Sequence, residues 1–348
     1  MDDLSRFCCL NPTCSDHGKR GHGNLTVPAR YGPTKTRVLR CSTCKDRFSE
    51  RRGTPLFDAR LPADKVVSVR DTVTRYIRRA GEHARELHEE LAAFPPATTE
   101  VQFDEKWDFV GKKEKPCEAD DRQHGDCWDH VALDPETRLV VSLVVGKRTE
   151  EATHALVRDF HRRTGGRVLR LMTSDEYPVS ASAIRATYGR VVTPPRTGRR
   201  GRPRKASTVM PPEVAYATVH KVRKNNRVVA ASTRVVFGTW VAVALALLAS
   251  AVSRAVNTCF VERHNGTDRN RCSRKVRKSY AFSKDWDTHR AATMFSDFSD
   301  NFCWPVKTLR RKAADGRWER RTPAMAAGLT DRVWSLAEWL AFPAVQRR

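Results

Sequence analysis

Three carboxylates are the residues of this sequence best placed to do chemistry. Asp104 lies in the alternating segment TTEVQFDEKWDFV, which predicts a half-buried strand. Asp175 follows the apolar run LRLM and precedes Pro178, so we interpret it as the tip of a buried strand, although a plain turn also fits. Glu262 lies in NTCFVERHNGTDRNR, which we interpret as a late helix rather than a site of surface ion pairs alone.

Carboxylates that gather at one edge of a sheet repel one another unless a cation joins them. Magnesium meets that need, because it is held by one or two carboxylates plus phosphate oxygens. Two such ions, about 4 Å apart, activate the attacking oxygen and stabilise the leaving oxygen in phosphoryl transfer. Spacing alone does not select these three acids from the 40 Asp and Glu residues of the chain.

The N-terminal cysteines have the spacing of metal ligands. A C-x4-C pair and a C-x2-C pair indicate a zinc ribbon with four thiolate ligands: Cys9, Cys14, Cys41 and Cys44. Cys8 is an alternative to Cys9, and His17 or His22 could replace one thiolate. The chain begins MDDLSRFCCL, with acids where a secretory signal has basic residues. We therefore expect a cytoplasmic protein with reduced thiols rather than disulfides.

The charge of the chain predicts a polyanionic partner. There are 64 Lys and Arg residues against 40 acids, which gives a net charge of +24. Eleven basic residues and one acid lie between residues 196 and 234. The piece RTGRRGRPRK resembles the core of an AT-hook for the minor groove, and a flexible basic loop on phosphates is the alternative. Its candidate DNA-binding residues are Arg199, Arg200, Arg202, Arg204 and Lys205.

One segment is apolar enough to require a membrane check. Residues 235–253 contain 19 residues without a charge, which is close to the length of a membrane span. The segment is rich in alanine and has arginines on both flanks, so a strand end followed by a buried helix explains it as well. We therefore predict no membrane span.

The order of elements predicts an α/β fold. A helix is expected over residues 61–95, ended by Pro95 and Pro96. Two strands around a turn at residues 134–137, a helix capped by Thr149 and a strand over 167–173 follow. This order suggests a mixed sheet with helices packed on it. The C-terminal VWSLAEWLAF is expected to form an amphipathic helix.

Four stretches resemble the landmarks of bacterial transposases of the insertion-sequence-one family: RYGPTKTRVLRCSTCKDRFSERRGTPLF, VQFDEKWDFVGKKEK, LMTSDEYP and NTCFVERHNGTDRNR. The resemblance covers roughly residues 8 to 310. It implies a DDE enzyme with an RNase H-like catalytic core, in which Asp104, Asp175 and Glu262 hold two Mg²⁺ or Mn²⁺ ions. It also implies one structural zinc on the four cysteines. His264, Asn265 and Arg269 would lie beside the site and position the phosphate or the DNA end.

The predicted organisation has four segments: a zinc ribbon (1–53), a helical segment (54–97), an RNase H-like catalytic domain (98–310) with a basic insertion (196–234), and a basic, amphipathic tail (311–348). The family carries a complete helix-turn-helix between ribbon and core. Here only 24 residues separate TPLF from the EHARELHEEL helix. The helical segment is therefore interpreted as a shortened remnant of that DNA-reading unit.

The function that this resemblance implies is a DNA transposase that cleaves and joins the strands of an insertion sequence. Its partners would be double-stranded terminal inverted repeats and target DNA, bound by a homo-oligomer in the nucleoid-containing bacterial cytoplasm. One alternative is a defective copy that acts only as a zinc-ribbon DNA-binding protein. Another is a nuclease that cuts without joining, which would leave hydrolysed ends only.

Overall fold

The structure is a computed structural model that describes residues 2–32, 35–57, 70–92, 97–194, 205–225, 227–276 and 279–345. Contacts divide the chain into two compact units. The first contains Met1–Ala92, Asp287–Thr322 and Arg332–Arg348, and the second contains Ala93–Trp286 and Pro323–Asp331. The boundary predicted at residue 310 therefore differs from the observed grouping, because residues 287–322 pack with the N-terminal part of the chain.

The first unit begins with a small antiparallel sheet in the order β1-β2-β3. Its strands are β1 (Leu25–Tyr31), β2 (Thr36–Cys41) and β3 (Arg47–Ser49). Leu39 and Phe48 pack with three of the cysteines in a core of its own. Helix α1 (Arg70–Leu91) follows; residues 61–69, where the sequence predicts its first turns, lie outside the described residues.

The second unit is built on a six-stranded sheet in the order β11-β10-β7-β4-β5-β6. Its strands are β4 (Glu100–Val110), β5 (Gly125–Leu133), β6 (Val140–Gly146), β7 (Leu171–Asp175), β10 (Tyr216–Lys224) and β11 (Arg227–Phe237). A separate short pair is formed by β8 (Arg190–Val192) and β9 (Ser207–Val209). Strands β4, β5 and β6 form an antiparallel meander, whereas β7 and β10 continue the sheet in parallel.

Helices flank this sheet: α2 (Glu150–Arg163), α3 (Pro178–Tyr188), α4 (Trp240–Ala249) and α5 (Cys259–Arg271). Helices α2 and α3 cover the main core, where Phe103 meets the ring of Phe160 edge to face. Helix α4 packs on the opposite face through Val243 and Ala246. The predicted mixed α/β sheet flanked by helices, including the Thr149 cap of α2, is therefore confirmed.

The basic insertion predicted over residues 196–234 is wrong in its second half. Tyr216–Lys224 and Arg227–Phe237 form β10 and β11 of the central sheet. The first four residues of β10 are buried beside β7, and the basic residues come only after them. The basic residues of β10 outweigh its short buried part in the sequence, so the segment was not predicted as a strand.

Helix α4 also differs from its prediction. The strand end followed by a helix is present, but only part of the helix is buried, at Val243 and Ala246. Trp240, Val241, Leu245 and Leu248 are each more than half exposed. Among the helices that the structure describes, none is long and apolar enough to cross a membrane.

The C-terminal elements belong to the first unit, except for one short helix. They are α6 (Trp286–Cys303), the short strands β12 (Arg311–Lys312) and β13 (Trp318–Glu319), α7 (Pro323–Ala326) and α8 (Leu336–Ala341). Only α7 belongs to the second unit. Trp339 of α8 is fully buried and contacts Phe302 and Trp334. The predicted amphipathic helix therefore forms part of a core.

Four buried charges attach α5 to the sheet. Lys106 of β4 pairs in register with Asp129 of β5, at 3.1 Å between Nζ and Oδ2. Lys106 also contacts Asp268 of α5, and Lys275 reaches both acids at 2.6 and 3.0 Å. All four side chains are at most 3% exposed. Burial by itself would raise the pKa of Asp268, but Lys275 and Lys106 hold it well below its usual range.

We expect Asp268→Asn to lower the free energy of unfolding by about 3–5 kcal/mol, since it leaves two buried ammonium groups facing one carboxylate. Chemical denaturation measures this loss. Glu319→Gln breaks the exposed pair between Arg311 and Glu319 and serves as the matched control, with an expected loss of about 0–1 kcal/mol. Equal effects of the two substitutions would show that the buried cluster does not hold α5.

Candidate functional site

Two of the three predicted acids lie side by side on neighbouring parallel strands. Phe103 of β4 is in register with Ser174 of β7, so Asp104 and Asp175 are the next residues along each strand. Side chains alternate between the two faces of a sheet, which places both carboxylates on the face opposite the Phe103 core. Asp175 is the last residue of β7. The strand interpretation of this segment is therefore confirmed over the plain turn.

A side chain of the sheet fixes the start of α5. Gln102 Oε1 accepts hydrogen bonds from the backbone N–H groups of Phe260 and Val261, each at 3.0 Å. Its amide nitrogen donates to the backbone oxygen of Asn257 at 2.9 Å. Gln102 thus satisfies N–H groups that a helix start leaves without partners. The first turn of α5, which carries Glu262, is thereby held over β4.

Thr258 directs its hydroxyl to the acids instead of capping α5. It occupies the N-cap position but makes no side-chain capping bond. Its Oγ1 lies 3.1 Å from Asp175 Oδ1 and 2.6 Å from Glu262 Oε1. Because Gln102 already satisfies the first N–H groups of the helix, the Thr258 hydroxyl can join the carboxylates.

A lysine lies between Asp175 and Glu262. Val219 of β10 is in register with Asp175, and Lys221 is two residues further along the strand on the same face. Its ammonium donates to Asp175 Oδ1 at 2.9 Å, to Thr258 Oγ1 at 3.0 Å and to Glu262 Oε1. Two carboxylates that the sequence predicted to converge are therefore joined through one cation.

Asp104 is the carboxylate most affected by its surroundings. Asn265 of α5 donates from its amide nitrogen to Asp104 Oδ2 at 2.7 Å. Burial raises the pKa of Asp104 to about 7, and the charges of Asp175, Glu105 and Glu262 add to this effect. Burial also raises the pKa of Glu105, against the opposing effect of Arg148 at 3.1 Å.

The predicted DNA-positioning residues of α5 lie mainly inside the fold. His264 and Asn265 are 8% and 4% exposed, and Asn265 contacts Asp104. Arg269 is half-buried and donates to the backbone oxygen of Trp107 at 3.3 Å. Their burial favours a role in positioning the acids over direct contact with DNA. The cause is helical geometry, since residues 261, 264, 265 and 268 form the face that packs inward.

Of the predicted basic-loop residues, only Lys205 is within the described residues, where it is exposed. Arg199, Arg200, Arg202 and Arg204 lie outside them. Sequence reasoning missed the residues that support the site: Gln102, Thr258 and Lys221. For Lys221 a signal was present, since Ala217, Val219 and Lys221 alternate along a strand.

The four predicted cysteines form a compact group that could hold a metal ion. Cys9 Sγ lies 3.6 Å from Cys44 Sγ, and Cys14 Sγ lies 4.0 Å from Cys41 Sγ. A tetrahedral zinc site with Zn–S bonds of about 2.3 Å requires sulfur separations of about 3.8 Å, so the geometry is compatible with zinc. Cys9 belongs to this group, whereas Cys8 does not.

The surroundings favour a thiolate at Cys41, whereas burial raises the pKa of Cys9 and the pKa of Cys14 is also raised. Burial would raise the pKa of Cys41, but the backbone N–H groups of Cys44 and Thr43 bring it down to about 7. Asp16 N–H also donates to Cys14 Sγ at 3.4 Å. His22 contacts the Asp16 carboxylate at 3.5 Å, and neither it nor His17 belongs to the sulfur group.

The three acids carry donors of the type that a hard divalent cation takes, but their oxygens do not all lie within 4.8 Å of one another. Asp104, Asp175 and Glu262 offer oxygen ligands of the kind that Mg²⁺ prefers. Burial is the main cause of the raised pKa of Asp104, with the neighbouring carboxylates second, and an added cation would oppose both effects. A cationic group, Lys221, already lies between two of the acids.

Comparison with known proteins does not assign the chain to a family. No protein-family model and no curated protein matches it. The functional interpretation therefore depends on the geometry of the site and on the resemblance of its sequence motifs.

We expect Asp104→Asn to stabilise the fold in magnesium-free buffer at pH 8. The pKa of Asp104 is raised from 3.8 to about 7, so its contribution to stability is complete below pH 3.8 and is lost as the pH rises through 7. The expected gain is about 2 kcal/mol, since one pKa unit corresponds to about 1.4 kcal/mol and partial exposure screens the shift.

Thermal unfolding at pH 8 and pH 5 tests this prediction. The difference in stability between Asp104→Asn and wild type should be larger at pH 8 than at pH 5. Asp120→Asn at an exposed position is the control and should change neither value. A variant that is no more stable than wild type at pH 8 would show that the ionised Asp104 carboxylate does not destabilise the fold.

Proposed function

We propose that this protein is a DNA transposase that cleaves and transfers strands through a DDE triad of Asp104, Asp175 and Glu262. The observation that carries the proposal is the convergence of three acids that are far apart in the sequence. Asp104 and Asp175 are adjacent on β4 and β7, and Glu262 reaches Lys221 and Thr258 beside Asp175. Carboxylates gathered in this way are a feature of metal-dependent phosphoryl transfer.

The proposed cofactor is two Mg²⁺ or Mn²⁺ ions held by these three acids. When bound, the metal would lower the pKa of the attacking water or 3′-hydroxyl and stabilise charge on the leaving oxygen. Asn265 orients the Asp104 carboxylate, and Thr258 orients those of Asp175 and Glu262. Gln102 fixes the helix start from which Glu262 projects.

Two surfaces support double-stranded DNA as the partner. Beyond Lys221, the hairpin of β10 and β11 presents the exposed basic residues Arg223, Lys224 and Arg227. In the first unit, three arginines and two acids line a groove between α1 and α6: Arg78, Arg85, Arg290, Glu82 and Asp287. Phosphate contacts of this kind supply affinity that falls with salt.

The remaining parts fit the same proposal. The four-cysteine group would bind one structural zinc in a DNA-binding ribbon. The meander β4-β5-β6, followed by two strands parallel to β4, supports an RNase H-like assignment for the catalytic core. We further propose a homo-oligomer on the paired terminal repeats, acting in the bacterial cytoplasm.

The proposal predicts metal-dependent cleavage of a duplex that carries the repeats flanking the gene. With Mg²⁺ or Mn²⁺, the wild-type protein should nick the repeat end and join it to target DNA. Asp175→Asn and Glu262→Gln should each lower this rate at least about a hundredfold, since each removes a carboxylate ligand that would hold the metal ion. Gel analysis of labelled strands separates nicked products from joined ones.

Glu176→Gln is the matched control, because Glu176 neighbours Asp175 but contacts His220 instead of the other acids. It should cleave at close to the wild-type rate. DNA binding without cleavage in any version would favour a zinc-ribbon binding protein that has lost its chemistry. Hydrolysed ends without joining would indicate a nuclease, and cleavage that survives both substitutions would exclude the triad.

A further inference from the structure

Lys221 makes an unusual number of contacts for a lysine so close to a candidate metal site. Its ammonium has three N–H groups, and three oxygens accept from it: those of Asp175, Thr258 and Glu262. Its side chain is 16% exposed, so the ammonium is largely removed from water. All of its donors are directed at the acids and at the hydroxyl between them.

The position of the ammonium coincides with where a metal ion would be held. A cation that bridges Asp175 Oδ1 and Glu262 Oε1 must lie within a few ångströms of both oxygens, and Lys221 Nζ does so. An ion bound there and the ammonium would repel each other strongly at this separation. The two cations therefore cannot share these oxygens in the same arrangement.

The Lys221 side chain can leave the site while the backbone of β10 stays in place. Only the first part of β10, up to Val219, pairs with β7, and Lys221 comes after this paired part. The backbone near Lys221 is held by β11, whereas the flexible side chain alone reaches the acids. Rotation about side-chain bonds can therefore withdraw the ammonium without moving the sheet.

We propose that the Lys221 ammonium occupies the cation position between Asp175 and Glu262 in the metal-free protein and is displaced when a divalent cation binds. This inference rests on the proposed function, because it concerns the same carboxylates. Lys221 is here a positioning residue: it keeps the acids together before metal arrives and lowers their affinity for metal. Divalent binding would thus depend on displacing an internal competitor.

The test is the affinity of the purified full-length protein for Mn²⁺, measured from the electron paramagnetic resonance signal of free Mn²⁺. Lys221→Met keeps the apolar stem and removes the charge. We expect it to bind Mn²⁺ at least about tenfold more tightly than wild type, because a competing charge within hydrogen-bond distance is gone. Binding that survives in Asp175→Asn is subtracted as binding elsewhere on the chain.

Lys115→Met is the matched control, since Lys115 is exposed between β4 and β5 and the substitution changes the net charge equally. It should bind Mn²⁺ within about twofold of wild type, because an exposed charge is screened by salt. Lys221→Gln is a second variant, which keeps the inference testable if the methionine variant does not fold. It should also bind Mn²⁺ more tightly than wild type.

The outcomes separate this inference from the function on which it rests. Wild-type binding that Asp175→Asn abolishes, with unchanged or weaker binding in the Lys221 variants, would overturn the role of Lys221 and leave the metal site intact. No Mn²⁺ binding by wild type or by the Lys221 variants would overturn both proposals. An equal gain in Lys221→Met and Lys115→Met would show that only net charge matters, and would also overturn the inference.

Discussion

The buried contact between β4 and α5 is the interaction on which the candidate site depends. Lys106 and Lys275 are enclosed with Asp129 and Asp268, and neither pair of like charges would be stable without the other. Such clusters cost desolvation energy and add specificity only when every member is paired. Here the cluster selects one placement of α5 along β4. That placement determines which helical residues can reach the acids of the sheet.

The rest of the site is built from further side-chain contacts between β4 and α5. Gln102, Asp104 and Lys106 alternate on one face of the strand, and each meets α5 in turn. Gln102 contacts Phe260 and Val261, Asp104 contacts Asn265, and Lys106 contacts Asp268. The parallel strand β7 then adds Asp175, and β10 adds Lys221. The site thus combines a rigid carboxylate pair on the sheet with a glutamate whose helix is fixed at both ends.

Sequence patterns predicted the elements better than the contacts between them. The alternation around Asp104, the Thr149 cap and the cysteine spacing each specify local structure, and all three are found. The burial of Asn265 and the role of Lys221 depend on which strands become neighbours, which no local pattern records. The basic strand β10 was missed because only its first four residues are buried. Helix α4 was expected to be buried because its composition is apolar. Composition does not show which face of a helix packs against the rest of the fold.

The central claim is that Asp104, Asp175 and Glu262 bind divalent metal at one place. Iron-directed cleavage tests it most directly: Fe²⁺ substituted for Mg²⁺, with ascorbate and peroxide, cuts the polypeptide close to the bound ion. Mass spectrometry then locates the cuts. The proposed metal site predicts cuts near residues 104, 175 and 262, all suppressed by excess Mg²⁺ and by Asp175→Asn. Cuts at other positions, or cuts that Mg²⁺ does not suppress, would contradict a shared metal site.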